Sequence, residues 1–169
     1  MLRWNAIRKE DIANGPGTRV SIWVQGCNFR CKGCFNPNTW DAEGGHILGP
    51  KVLKQFIELG NNPNVVGYSI LGGEPLLNCS DMLQLVKEIK TAHPDKDIWM
   101  WSGFNFEELS DEQKEVMKYI DVLVDGRFDE KLKDPNLRFR GSSNQRIIDV
   151  QRTLMTKRTI VLVKKYMED

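Results

Sequence analysis

Four runs that read as strands, each closed by small or polar residues, constrain this chain more than any other feature. They cover 18–25 (Thr-Arg-Val-Ser-Ile-Trp-Val-Gln), 65–71, 98–101 and 120–124. The run Val65-Val66-Gly67-Tyr68-Ser69-Ile70-Leu71 is nearly continuous, as expected of a strand buried on both faces of a parallel sheet. Helical patterns lie between the later runs. Pro50 suits a first helical turn, and Val52, Leu53, Phe56, Ile57 and Leu59 follow at helical spacing. Ser80 or Asp81 is a candidate cap for Met82, Leu83, Leu85, Val86 and Ile89, with a stop at His93-Pro94. Ser110 with Gln113 forms a capping box for a helix through Val116, Met117 and Tyr119. Strands alternating with helix-length connections predict a parallel sheet with right-handed crossovers. The strand ends, Gly26-Cys27, Gly72-Gly73-Glu74, Ser102-Gly103 and Asp125-Gly126, then share one sheet edge. Open α/β sheets place their ligands at such an edge.

The flanks are weaker. Residues 2–7 alternate as an edge strand would, and Asn14-Gly15-Pro16-Gly17 is a turn. Residues 36–48 read as loop, as do 128–140, and 147–150 and 159–163 read as two short final strands. Four βα-type units are too few for a closed eight-stranded barrel. The expected fold class is α/β, a partial open (β/α) barrel. At 169 residues, without repeat or linker, the chain is expected to be a single domain spanning 1–169.

The first strand delivers Gly26-Cys27-Asn28-Phe29-Arg30-Cys31-Lys32-Gly33-Cys34-Phe35, three of the four cysteines spaced C-x3-C-x2-C. Thiolates on one short loop can turn toward one point. A structural zinc and a closed iron–sulfur cluster both take four ligands, and this loop offers three. One solution is a 4Fe–4S cluster with one iron left open to a ligand, with Phe29 and Phe35 as apolar cover. Another is zinc, recruiting Cys79, His46 or His93; a third is a redox disulfide. At the next strand end, the glycines of Gly72-Gly73-Glu74-Pro75 allow close approach to backbone groups, and the carboxylate can accept from an ammonium. A plain turn is the alternative.

The cysteine spacing resembles the signature of the radical S-adenosylmethionine (SAM) enzymes, and Gly72-Gly73-Glu74, about forty residues later, matches that family's GGE motif. The segments 14–19, 27–37, 72–76, 101–104, 121–128 and 140–148 together resemble the activating proteins of anaerobic (class III) ribonucleoside-triphosphate reductases. Arg127 departs from that pattern, standing where a proline is usual. The resemblance implies a radical SAM-type partial barrel and an activase that reductively cleaves SAM at a 4Fe–4S cluster. It further implies a glycyl radical made on the large subunit of the reductase, with electrons from a donor such as flavodoxin or ferredoxin. Cys27, Cys31 and Cys34 would ligate the cluster, and Gly72, Gly73 and Glu74 would meet the methionine end of SAM. Asn28 and Phe29 would lie toward the adenine. Ser102 and Asp125 would serve the SAM carboxylate region or a bound monovalent cation, or else cap strand ends. The polar loop 140–146 would dock the reductase or simply be solvated. Alternatives are an activase of another glycyl-radical enzyme, such as pyruvate formate-lyase, and a non-catalytic zinc-binding interaction module.

Composition narrows the classes. Lys and Arg number 24 against 23 Asp and Glu, so no charge excess points to nucleic acid. No apolar run approaches the roughly 20 residues of a membrane span, and no signal-peptide pattern opens the sequence. Three crowded cysteines do not make a secreted disulfide framework, and a cytoplasmic location is expected. Cys79 reads as a partly buried small residue. His46 and His93 read as loop or helix-end surface groups, and Trp4, Trp23, Trp99 and Trp101 as packing residues.

Overall fold

A computed structural model describes residues 1–162. The four runs are strands β2 (Thr18–Val24), β4 (Val65–Gly72), β5 (Asp97–Trp101) and β6 (Val122–Asp125), all mutually parallel. Antiparallel strands extend both sides of this centre. On one side lie β1 (Arg3–Asp11) and β3 (His46–Ile47), and on the other lies β7 (Arg146–Asp149). The order β3-β1-β2-β4-β5-β6-β7 makes one open seven-stranded sheet in a mixed α/β fold.

Side-chain alternation along each strand decides what covers each face. Val20, Ile22, Tyr68, Ile70, Ile98, Met100 and Leu123 face one way. They bury against Phe56 of α1 (Pro50–Glu58), Met82, Leu85, Val86 and Ile89 of α2 (Cys79–Ala92), and Val116 and Met117 of α3 (Asp111–Met117). The opposite face carries a smaller cluster of Trp99, Val122, Val124 and Ile147, backed by Trp101, Phe139 and Leu162. Helices thus pack one face, while loops cover the other. Arg19 is wholly buried on the loop-covered side. It donates to Ser69 Oγ, the Tyr68 carbonyl and Asp97 Oδ1, which ties the 14–17 turn to the sheet.

Several boundaries differ from the sequence expectation. The first strand runs on to Asp11 and is not an edge, because β3, inside the expected 36–48 loop, pairs outside it. Helix α2 begins at Cys79 with Asn78 as its cap, whose side chain accepts from the Asp81 amide at 3.4 Å and donates to Asp81 Oδ2 at 2.8 Å. Ser80 and Asp81 therefore sit inside the first turn. The Ser110–Gln113 capping box forms as expected, but α3 ends at Met117. Helix α4 (Val150–Thr156) was not foreseen; the Asp149 side chain caps it by accepting from the Arg152 amide. Of the expected strand at 159–163, only an isolated bridge from Val161 to Ile148 forms, and Val163 lies outside the described residues. Trp99 is buried, and Trp101 donates its indole N–H to the Phe139 carbonyl at 2.7 Å. Among the described residues no helix is long and apolar enough to cross a membrane.

Candidate cluster and cofactor site

The sheet register brings the strand ends level. Val24 is paired with Gly72, Ile70 with Met100, and Trp101 with Val124. Cys31 and Glu74 are therefore carried at the same edge, as the sequence requires for one site. Gly26, at φ 103°, turns the chain out of β2 into the cysteine loop. The Glu74 amide donates to the Gly26 carbonyl at 2.8 Å, joining the two motifs directly. Asn36 Nδ2 donates to the Gly72 carbonyl, and Thr39 Oγ1 accepts from the Gly73 amide at 2.7 Å. Thr39 is buried, and its hydroxyl donates a hydrogen bond to the Asn36 carbonyl at 2.6 Å. Asn36 and Thr39 were missed in the sequence, where they fell in a stretch read as loop. The Asn36-Pro37 step was the available signal, since Pro37 opens a short 3-10 helix, Pro37–Thr39, that presents Thr39.

Gly73 is required by shape. A Cβ there would stand 2.5 Å from the Val24 carbonyl oxygen and 2.8 Å from that of Gly26, on a backbone at φ 20°. Glu74 follows it and is 4 % exposed. Its Oε1 accepts from the Ser102 hydroxyl (2.7 Å) and the Leu76 amide (3.0 Å), and its Oε2 from the Gly103 amide (2.8 Å). Burial pushes this carboxyl up to about 7, against the pull of those three bonds. A carboxylate offers about four acceptor positions, so one on Oε2 stays open for a further donor.

Cys27, Cys31, Cys34, Gly72, Gly73 and Glu74 all line one cavity of about 570 Å³. Burial raises the Cys27 and Cys31 thiols above the ordinary thiol range. The Glu74 charge adds to the effect at Cys27, and Cys34 adds to it at Cys31, while Arg127 works the other way at Cys31. Among the described residues, no three His, Cys, Asp or Glu side chains are gathered closely enough to hold a metal ion as they stand. The donor set nevertheless fits an iron–sulfur cluster in kind, being three soft thiols in the wall of one cavity. The fourth thiol is outside that wall: Cys79 opens α2 and donates to the Leu76 carbonyl.

The model of the 4Fe-4S single cluster domain family matches residues 13–148, from the turn before β2 to within β7. The anaerobic ribonucleoside-triphosphate reductase-activating protein of Vibrio cholerae is 45% identical over 139 residues, covering 80% of this chain and 90% of that protein. The protein of the same name from Escherichia coli K12 gives the same identity and coverage. That of Enterobacteria phage T4 is 36% identical over 148 residues, covering 86% of this chain and 93% of its own length. This chain belongs to the anaerobic ribonucleoside-triphosphate reductase-activating protein family.

In this family member the remaining candidates are placed unevenly. Phe29 lines the cavity, edge-on to Phe104 at 4.9 Å and beneath the Arg127 guanidinium at 4.3 Å. A Cβ on Gly103 would come within 2.5 Å of the Phe29 ring, so that glycine makes room for it. Asn28 is exposed and does not line the cavity. Ser102 lines it, with its hydroxyl committed to Glu74. Asp125 is wholly buried and does not line it; its carboxylate accepts from the Phe106 amide and from Arg146 Nε and Nη2. The 140–146 loop folds back on itself. Arg140 Nη1 donates to the Ser143 and Gln145 carbonyls, and Gln145 Oε1 accepts from the Gly141 and Ser142 amides. His93 is buried at the end of α2, Nε2 against the Ile57 carbonyl, and is not the surface group expected. His46 lies on β3 against Trp4.

Proposed function

We propose that this chain is the activase of an anaerobic ribonucleoside-triphosphate reductase, working as a radical SAM enzyme on a partial open (β/α) barrel that forms a single domain over 1–169. The observation that carries this reading is the direct bond between the Glu74 amide and the Gly26 carbonyl, which holds the three-cysteine loop and Gly72-Gly73-Glu74 on one cavity. Cys27, Cys31 and Cys34 are the cluster ligands. The backbone at Gly72 and Gly73, which line the cavity, and the open acceptor position of Glu74 receive the methionine ammonium. Ser102 and the Gly103 amide hold the Glu74 carboxylate in place for it. Phe29 forms the wall toward the adenine, with Asn28 beside it on the outer side of the loop. Asp125, neutralised by Arg146, stabilises the end of β6 next to the carboxylate region, where a monovalent cation would bind.

Held by Cys27, Cys31 and Cys34, a 4Fe–4S cluster would supply the single electron for reductive cleavage of SAM, and so the hydrogen-atom abstraction that leaves a glycyl radical on the reductase. The chain itself excludes water from this exchange with the aromatic walls Phe29, Trp40 and Phe128. The electron donor is a small redox protein such as flavodoxin or ferredoxin, in a cytoplasmic, oxygen-poor setting. The test is anaerobic reconstitution with iron and sulfide, followed by electron paramagnetic resonance of the reduced protein. A 4Fe–4S signal that changes on adding SAM is expected, then a glycyl doublet after incubation with the apo-reductase. Zinc in place of a cluster, or a doublet on pyruvate formate-lyase alone, would reject the reading.

A further inference from the structure

The cysteine loop has an outer side as well as a cavity side, and the outer side is basic. Segment 127–133 packs directly on it. Phe35 meets Phe128 at 5.0 Å between ring centroids, and Lys133 lies 5.5 Å over the Phe35 ring. Arg127 lies over Phe29, and a Cβ on Gly33 would come within 3.2 Å of the Glu130 side chain. The two segments are thus one surface. It exposes Lys32, Arg127 and Lys131 beside the half-buried Asp129 and the exposed Glu130, with Lys133 at the rim shared with the cavity, although the chain as a whole carries only +1. Phe35 is 61 % exposed and Leu132 43 %, so apolar anchors stand among the charges. An open cleft of about 640 Å³ crosses this surface, lined by Lys32, Arg127, Phe128, Asp129, Glu130, Lys131 and Asn144.

The geometry points to this basic cleft as the docking surface for the one-electron donor, a redox protein with an acidic face around its redox centre. The inference rests on the proposed function and deepens it by placing the donor. Most of the cleft is turned away from the cavity, since of its lining residues only Arg127 and Phe128 are shared with it. A glycine-bearing partner has to reach into the cavity. An electron donor needs only to approach the cysteine loop from outside, and the electron passes from the reduced donor, oxidised by one electron, to the cluster, reduced by one. A local excess of one sign of charge raises the rate of such encounters and makes them salt-dependent.

The test uses the reconstituted full chain and photoreduced flavodoxin in stopped flow, across ionic strength. The variant is Lys32→Glu with Lys131→Glu, and the control is Lys51→Glu with Lys114→Glu, an equal charge change on α1 and α3. The cleft variant is expected to slow the second-order reduction about tenfold or more at low salt and to flatten its salt dependence. Reduction by photoexcited deazaflavin, a small donor, and affinity for the apo-reductase should stay at wild-type values, as should every rate of the control. An unchanged flavodoxin rate would overturn the inference. So would a lost affinity for the reductase at an unchanged flavodoxin rate, which would assign the cleft to that partner. Failure of the wild-type chain to take up any 4Fe–4S cluster would instead reject the proposed function.

Discussion

Arg146 is the side chain on which the β6 end of the site depends. It donates to both oxygens of Asp125, at 3.1 and 2.6 Å, and reaches Glu107 at 3.0 and 2.7 Å. Asp125 is wholly buried. Removing one partner of a buried pair strands the other charge, at a cost of about 3–5 kcal/mol. Arg146→Ala should therefore lose stability of that order in urea denaturation at neutral pH. The acid limb gives a second readout. The hydrogen bond from Arg146 holds the Glu107 carboxyl down at about 2, below its ordinary 4.5. A depressed carboxylate contributes stability that is complete above the ordinary value and is lost as pH falls toward 2. The wild type should thus lose stability over that window more steeply than Arg146→Ala. Parallel slopes would mean that the Arg146–Glu107 pair does not form in solution. Nothing in the sequence announces these partners, which lie 21 and 39 positions apart and have no spacing rule to connect them. The cysteines and Gly-Gly-Glu were legible because their chemistry is local in the chain.

At the scale of elements, what was legible follows burial. Parallel strands packed on both faces favour near-continuous apolar runs, as in β4, while β2 alternates, and all four appear within a few residues of their expected positions. The two-residue β3 buries neither of its residues and writes nothing, and the seven-residue α4 buries only Val150 and Thr153. Helix starts were harder, because several residues near α2 can cap. The structure chooses Asn78 over Ser80 and Asp81, leaving Asp81 in the first turn where a carboxylate favours the positive end of the helix. Asn78→Ala should cost about 1 kcal/mol. Ser80→Ala, at an exposed first-turn position, should stay within about 0.5 kcal/mol. Chemical denaturation of the two variants separates the assignments, and a larger loss from Ser80→Ala would return the cap to the place the sequence suggested.

Across the whole molecule, the two faces of the sheet are unequal, and that inequality separates stability from function. The helix-packed face holds the larger apolar core, while the other face is closed by loops whose own contacts are local hydrogen bonds and ring stacks. Regions with little buried apolar surface open at a lower free energy than the core. Amide exchange of the cluster-free chain should therefore be slowest in β2, β4 and β5, near the global unfolding limit, and fast in 27–40 and 127–145. The three thiols stand on the fast side, and burial disfavours the thiolate at Cys27 and Cys31. Ligation would remove that penalty and fasten the cysteine loop, with Phe29 and Phe35 carrying the constraint to Arg127 and Phe128. Reconstitution and SAM should then slow exchange in 27–40 and 127–133 by tenfold or more, if about 1.4 kcal/mol of binding energy reaches each segment, and leave α1–α3 unchanged. Uniform slowing of every amide would instead mean that loop and core open as a single unit. In that case the cluster would stabilise the fold as a whole rather than order a site on a sheet that already stands without it.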